Sequence, residues 1–397
     1  MKPASRWAFV LCLAVLATSR WAGPPGPDSI PGDAAAYYRV AQAAPDLPRD
    51  GVLPFQHTQR LAIPYAIGVL HTVLPEALSL HALFRAAAVA LEFAILLVAA
   101  GILRSLRVPD RPAMLILAIL ALNPWAFRMY VTFPEMIPDL GFVVGLAVVL
   151  RGLLSNSVSN GAALVLTGQL LASLSRQSGL LLLPAIALWL WRNPMRWELS
   201  PVRRTALAGG AAAIAVAVYA GTARLVADVS TVDANAEHLY GAIVWFATQF
   251  DAGELARFSA RIVLPVLVPL AVFVGLAAQR RTLAAPAALL LTTAACIWTQ
   301  PILAGPYVTA GNAPRLIALG LLPVLLALGI QLRDSGAFAT PEGGRRMGWL
   351  VALLALGSLH HWLVLDTEPT RVHQAIFAAA SGAASIGAAI LTARETS

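Results

Sequence analysis

Acids and arginines gather in a few short segments of an otherwise apolar chain. Asp33 follows Gly32 at the head of GDAAAYYRVA, with Tyr37, Tyr38 and Arg39 behind it. Glu135 and Asp139 stand close together in FPEMIPDLGF. Arg176 and Gln177 interrupt LLASLSRQSGLLLLP, and Asn312 and Arg315 sit in GPYVTAGNAPRLIALGLLP. Arg60 lies in HTQRLAIPY, one helical turn after His57 if that stretch is helical. A planar guanidinium can clamp a phosphate through two parallel hydrogen bonds, with a Gln donating beside it. Each group also has a plainer reading. Asp33 suits an N-cap, and Asp139, in the first turn of a helix opened by Pro138, is stabilised by the helix dipole. Arg176 could snorkel to lipid headgroups. Arg315, in a first turn opened by Pro314, opposes the dipole, so a buried anion partner explains it better.

Composition fixes the elements that must carry these groups. Charged residues make up 12% of the 397, about half of the roughly 25% usual in soluble domains, and AVILMFWYC reach 58%. A soluble surface cannot be assembled from so few charges. The chain reads as an all-α, polytopic membrane bundle, one membrane domain over 1–397. Apolar runs place helices near 7–23, 80–103, 112–130, 139–154, 161–175, 178–191, 205–226, 261–278, 283–299, 314–331, 348–365 and 374–393. That is about twelve spans of about 20 residues. With Lys2 and Arg6 inside, 16 of the 28 basic residues fall in cytoplasmic segments, which puts both termini in the cytoplasm. The net charge of +8 thus reports orientation before any nucleic-acid partner. The first segment also satisfies a signal-peptide template, with cleavage after Ser19.

Two outside segments, 24–79 and 227–260, are too long for simple connections and read as working loops carrying short interfacial helices. The first holds AAAYYRVAQAA as a short helix and an apolar stretch at 61–75 broken by Pro64. Glu92, inside the second span, is expected to hydrogen-bond within the bundle. The adjacent His360 and His361 make a poor metal site, and Cys12 and Cys296 offer no disulfide framework. P-loop, GxGxxG, HExxH and CxxC patterns are missing, so ATP hydrolysis, dinucleotide binding and zincin chemistry have no sequence support.

Taken in order, GDAAAYYRVA, PFQHTQRLAIPYAIG, PDLGF, SRQSGLLLLP and GNAPRLIALGLLP resemble the GT-C superfamily of multi-spanning glycosyltransferases, especially its bacterial members, over about residues 7–331. The resemblance implies a polyprenyl-phosphate sugar as donor and a lipid or glycan acceptor. Transfer would take place at the extracytoplasmic face of a bacterial inner membrane. It matches Asp33 to the essential first-loop acid and Asp139 to a second acidic position, with Glu135 a further catalytic candidate. Arg176 and Arg315 become candidates for the donor phosphate, and Arg60, Gln177, Asn312, Tyr37 and Tyr38 for substrate binding. Several members carry an adjacent acidic pair where this chain has Asp33 alone, so no metal or cofactor is assigned. Two other readings share the outer-face charges. One is a polymerase or ligase of lipid-linked glycans; the other is a transporter or flippase, which should hold its charges near the bilayer midplane.

Overall fold

The computed structural model describes residues 3–24, 32–48, 57, 59–75, 77–193, 197–227, 237–277, 283–336, 338, 340–357, 379, 382–383, 386–387 and 390. Among the described residues there are helices and turns and no strand. Six helical segments among the described residues are long and apolar enough to cross a membrane: Leu80–Ser105, Pro134–Leu153, Val158–Ser175, Pro201–Leu225, Ala252–Leu276 and Ala285–Thr309. The pair Asp110–Leu122 and Pro124–Thr132, bent by 54°, makes a seventh if counted as one span. The chain is therefore an integral membrane protein by length and composition of its helices.

The expected count of about twelve is not reached among the described residues, and the reasons are local. The run expected at 112–130 bends where Asn123 accepts from Trp125 N–H and Pro124 opens a π-helical turn. The run expected at 178–191 begins as a 3-10 turn and leaves only the helix Leu182–Arg192. The run expected at 314–331 breaks at Gly320 into Ala313–Ala318 and Leu321–Ser335. The last expected span, 374–393, lies largely outside the described residues, as do His360 and His361.

The chain folds as two compact units. One comprises Trp21–Ile95 and Tyr130–Ala236. Its first working loop contains two helices, Gly32–Ala43 and Ala62–Val73, at the positions the sequence led us to expect. Gly68 lets them touch: a Cβ there would lie 2.2 Å from the Ala41 carbonyl oxygen. Ala36 and Val40, four apart on one face of Gly32–Ala43, pack with Leu61 and Val226. Ala41 joins Ile67, Leu80, Phe84 and Ile137. The helix is thus gripped from both sides. Below it, Pro138–Leu153 and Val158–Ser175 form a close antiparallel pair. Gly145 and Gly168 set the spacing, since a Cβ on either would fall 2.4–2.5 Å from the partner's backbone nitrogen.

The other unit comprises Met1–Arg20, Leu96–Met129 and Glu237–Ser397. Leu321–Leu332 is buried on every side, as expected of a helix apolar all round. The second working loop supplies Glu237–Thr248, whose Gly241 approaches the Ala304 carbonyl closely. Ala285–Thr309 is kinked at Gly305, which takes φ 71° and ψ −176°, a conformation that suits glycine.

Candidate functional site

Each of the three acids singled out in the sequence meets a basic partner, all within the unit Trp21–Ile95 and Tyr130–Ala236. The helix holding Asp33 begins at Gly32, so Asp33 lies inside the first turn and not before it. Its Oδ1 is 2.6 Å from His57 Nε2, and its Oδ2 is 3.8 Å from Arg60 Nη1. Arg60 in turn donates from Nη1 to Tyr37 Oη at 2.9 Å and from Nε to Gln177 Oε1 at 3.0 Å. Tyr37 follows Asp33 by one helical turn, so helix geometry places both toward Arg60.

Gln177 is held by a tight reversal. After Val158–Ser175 the chain passes through Arg176 in extended conformation (φ −155°, ψ 146°) and coils into the 3-10 turn Gln177–Leu181. Gln169 fastens that turn by donating to the Gly179 carbonyl at 3.0 Å and to Ser173 Oγ at 2.9 Å.

Arg176 points back to Asp139 and donates to its Oδ1 from Nη1. Their side chains are 0% and 1% exposed, and Tyr130 Oη donates to Asp139 Oδ2 at 3.2 Å. Pro138 opens this helix as expected, so the carboxylate is also stabilised by the N-terminal dipole. The guanidinium of Arg176, the arginine expected at the donor phosphate, is buried and paired with a carboxylate.

Glu135 lies in the 3-10 turn Pro134–Met136. Its Oε1 is 2.5 Å from His81 Nδ1, while His81 Nε2 is 3.2 Å from the Ala22 carbonyl. A carbonyl can only accept, so Nε2 donates; the carboxylate and Nδ1 then share one more proton between them. Tyr38, on the face of Gly32–Ala43 next to Tyr37, packs near Phe84. Burial raises its phenol above the usual range, and the charge of Glu135 adds to the rise.

The structure thus joins Asp33, Tyr37, Arg60 and Gln177 in one run of contacts, places the Arg176–Asp139 pair next to it in the chain at Gln177, and sets Tyr38 and Glu135 by the same helix. Asn312 and Arg315 belong to the other unit, Asn312 exposed and Arg315 buried in the six-residue helix Ala313–Ala318. Glu92 departs from its expected role: it is fully buried, yet among the described residues neither carboxyl oxygen has a hydrogen-bond partner. Sequence reasoning missed His81, whose partner lies 54 residues away, and Tyr130. His57 carried a signal in its spacing to Arg60. Among the described residues no group of three or more His, Cys, Asp or Glu could hold a metal ion.

Comparison with known proteins gives one kind of answer. No family model matches the sequence, and no curated protein does. Two solved structures match the fold, both of ArnT from Cupriavidus metallidurans. One, bound to undecaprenyl phosphate, shares 14% identity at a TM-score of 0.50, covering 98% of this chain and 76% of that one. The other, in the apo state, shares 17% at a TM-score of 0.48, covering 98% and 75%. Identity this low speaks to the fold alone: the chain shares its overall helical fold with ArnT.

Proposed function

We propose that this chain moves a sugar from a polyprenyl-phosphate donor to a lipid or glycan acceptor at the extracytoplasmic face of a bacterial inner membrane. The observation that carries the reading is the run of contacts from His57 through Asp33 and Arg60 to Gln177, set in a GT-C-type fold. The ArnT structure holding undecaprenyl phosphate supports the donor class.

The chemistry follows from the groups present. Asp33 takes the proton of the acceptor hydroxyl, and the acceptor oxygen bonds to the anomeric carbon as the bond from that carbon to the phosphate oxygen breaks. The phosphate leaves with the electron pair and needs positive charge nearby. Arg60, within the Asp33 group, is our first choice for that charge. Arg315, which the resemblance matches to the donor phosphate, is the second. Arg176 we assign to holding Asp139. The apolar helices give the polyprenyl tail a surface to lie against, which accounts for such chemistry being housed in a membrane bundle.

Purified protein supplied with polyprenyl-phosphate sugars should transfer sugar, and a nucleotide sugar without lipid carrier should give none. Arg60→Ala or Arg315→Ala should weaken donor use by about 1.5–3 kcal/mol if a charge-assisted bond to phosphate is lost. Transfer from a nucleotide sugar alone would overturn the donor class.

Orientation is checked separately, since the site must face the compartment where lipid-linked sugars are used. In a background without Cys12 and Cys296, cysteines at Gln42 and Thr248, both exposed, should react with an impermeant thiol reagent in intact cells. A cysteine at exposed Arg345 should react only after permeabilisation. The opposite pattern would reverse the topology.

A further inference from the structure

We infer that His57 is a positioning residue that fixes the Asp33 carboxylate for proton transfer; this rests on the function proposed above. The evidence is the environment of the ring. His57 Nε2 is 2.6 Å from Asp33 Oδ1, and the side chains are 6% and 17% exposed. Tyr37, itself buried, meets the imidazole edge-on, with ring centroids 5.7 Å apart and planes at 75°. Nδ1 is buried and has no hydrogen-bond partner among the described residues.

These facts favour one direction for the bond. An ionised carboxylate can only accept, so Nε2 carries the proton and donates it to Oδ1. A proton on Nδ1 instead would leave a buried N–H without an acceptor, which costs about 1–3 kcal/mol, and would deprive Oδ1 of its donor. The tautomer with hydrogen on Nε2 satisfies both conditions. This contrasts with His81, where each ring nitrogen faces an oxygen.

The consequence is geometric. A carboxylate on a short side chain rotates about its last bond, and a base that rotates is aligned only part of the time. The Nε2–H bond to Oδ1 and the Arg60 charge beside Oδ2 hold its plane from two directions. Asp33 also keeps more exposure than His57 or Arg60, so the carboxylate is the member of the group that an acceptor hydroxyl can reach. During transfer the hydroxyl proton moves to Asp33 while the acceptor oxygen bonds to the anomeric carbon and the phosphate departs. The His57 N–H stays where it is, and the carboxyl proton later returns to water. His57 is buried behind the carboxylate and acts through it.

Two substitutions and one spectrum test this. Gln can place its amide nitrogen close to the position of Nε2; Leu fills the space without a donor. His57→Leu should lower kcat by about 10²-fold, the usual penalty of a misplaced reacting group, while His57→Gln recovers most of the loss. The KM for the polyprenyl-phosphate sugar should stay within about threefold in both, since neither change touches the donor. Wild-type turnover by His57→Leu would overturn the inference. So would a His57→Gln enzyme as slow as His57→Leu with raised KM, because the ring would then be contacting substrate.

The third measurement does not depend on activity. In protein labelled with 15N-histidine and assigned by difference against His57→Gln, His57 should show a protonated Nε2 and an unprotonated Nδ1. The Nε2 signal should shift on Asp33→Asn. A protonated Nδ1 beside an unprotonated Nε2 would overturn the inference even if sugar transfer is confirmed. If no polyprenyl-phosphate sugar serves as donor, the transferase reading fails, and the ring spectrum still decides whether His57 holds Asp33.

Discussion

Asp33→Asn should reduce sugar transfer by about 10²–10⁴-fold while the protein folds and inserts as the parent does. The structure explains why the two effects separate. An Asn oxygen can still accept from His57 Nε2–H, so the contact at 2.6 Å survives, but the amide cannot take a proton from the acceptor. What folding loses is the ion pair with Arg60, long at 3.8 Å and therefore weak. Asp33→Ala behaves differently: it strips the acceptor from a buried imidazole N–H, and a stability loss of about 1–3 kcal/mol accompanies the loss of turnover. The measurement is transfer from a polyprenyl-phosphate sugar at matched amounts of folded protein. If Asp33 merely completes a helix turn, Asp33→Asn will be close to silent, and the base must be sought at Asp139 or Glu135.

The second large effect is on stability. Asp139→Ala or Arg176→Ala should each destabilise the fold by about 3–5 kcal/mol, because each removes the opposite charge from a buried ion. The double variant Asp139→Leu with Arg176→Leu should recover much of this loss, since buried pairs replaced by apolar side chains are often neutral in stability. Thermal unfolding in detergent, read for all three, distinguishes this from the role the sequence suggested for Arg176. A phosphate-binding arginine would leave melting unchanged in Arg176→Ala and raise only the donor KM. That result would return Arg176 to the donor site.

Much of the layout was legible because membrane sequences state their burial directly. Runs of apolar residues located Leu80–Ser105, Pro201–Leu225 and Ala285–Thr309, and proline placement located the starts of Pro138–Leu153 and Ala313–Ala318. Polar interruptions marked Arg176 and Gln177 as the end of a helix, and the structure puts the reversal there. What the sequence could not express was pairing. Nothing in the neighbourhood of Glu135 points to His81, and nothing near Asp139 says that Arg176 will neutralise it, because both contacts join segments far apart in the chain. An arginine beside a phosphate and an arginine beside a buried carboxylate have the same local signature. Span ends were hidden for a related reason: the run at 316–330 is apolar throughout, and its break falls at Gly320, where Trp298 packs so closely that its indole nitrogen would lie 2.4 Å from a Cβ.

The spacing of the acid–base contacts also bears on how the protein is made. His57 follows Asp33 by 24 residues, His81 precedes Glu135 by 54, Arg176 follows Asp139 by 37, and Gln177 follows Arg60 by 117. Because synthesis runs from the N-terminus, Asp139 enters the insertion machinery before its cation exists, whereas Glu135 arrives after its histidine has already been delivered. An unpaired acid at membrane depth is costly, so the start of Pro138–Leu153 should stay at the aqueous boundary until the following helix brings Arg176 across. The pair Pro138–Leu153 and Val158–Ser175 therefore enters the bilayer best as one hairpin, and the contact of Gln177 with Arg60 forms only once that hairpin has been made.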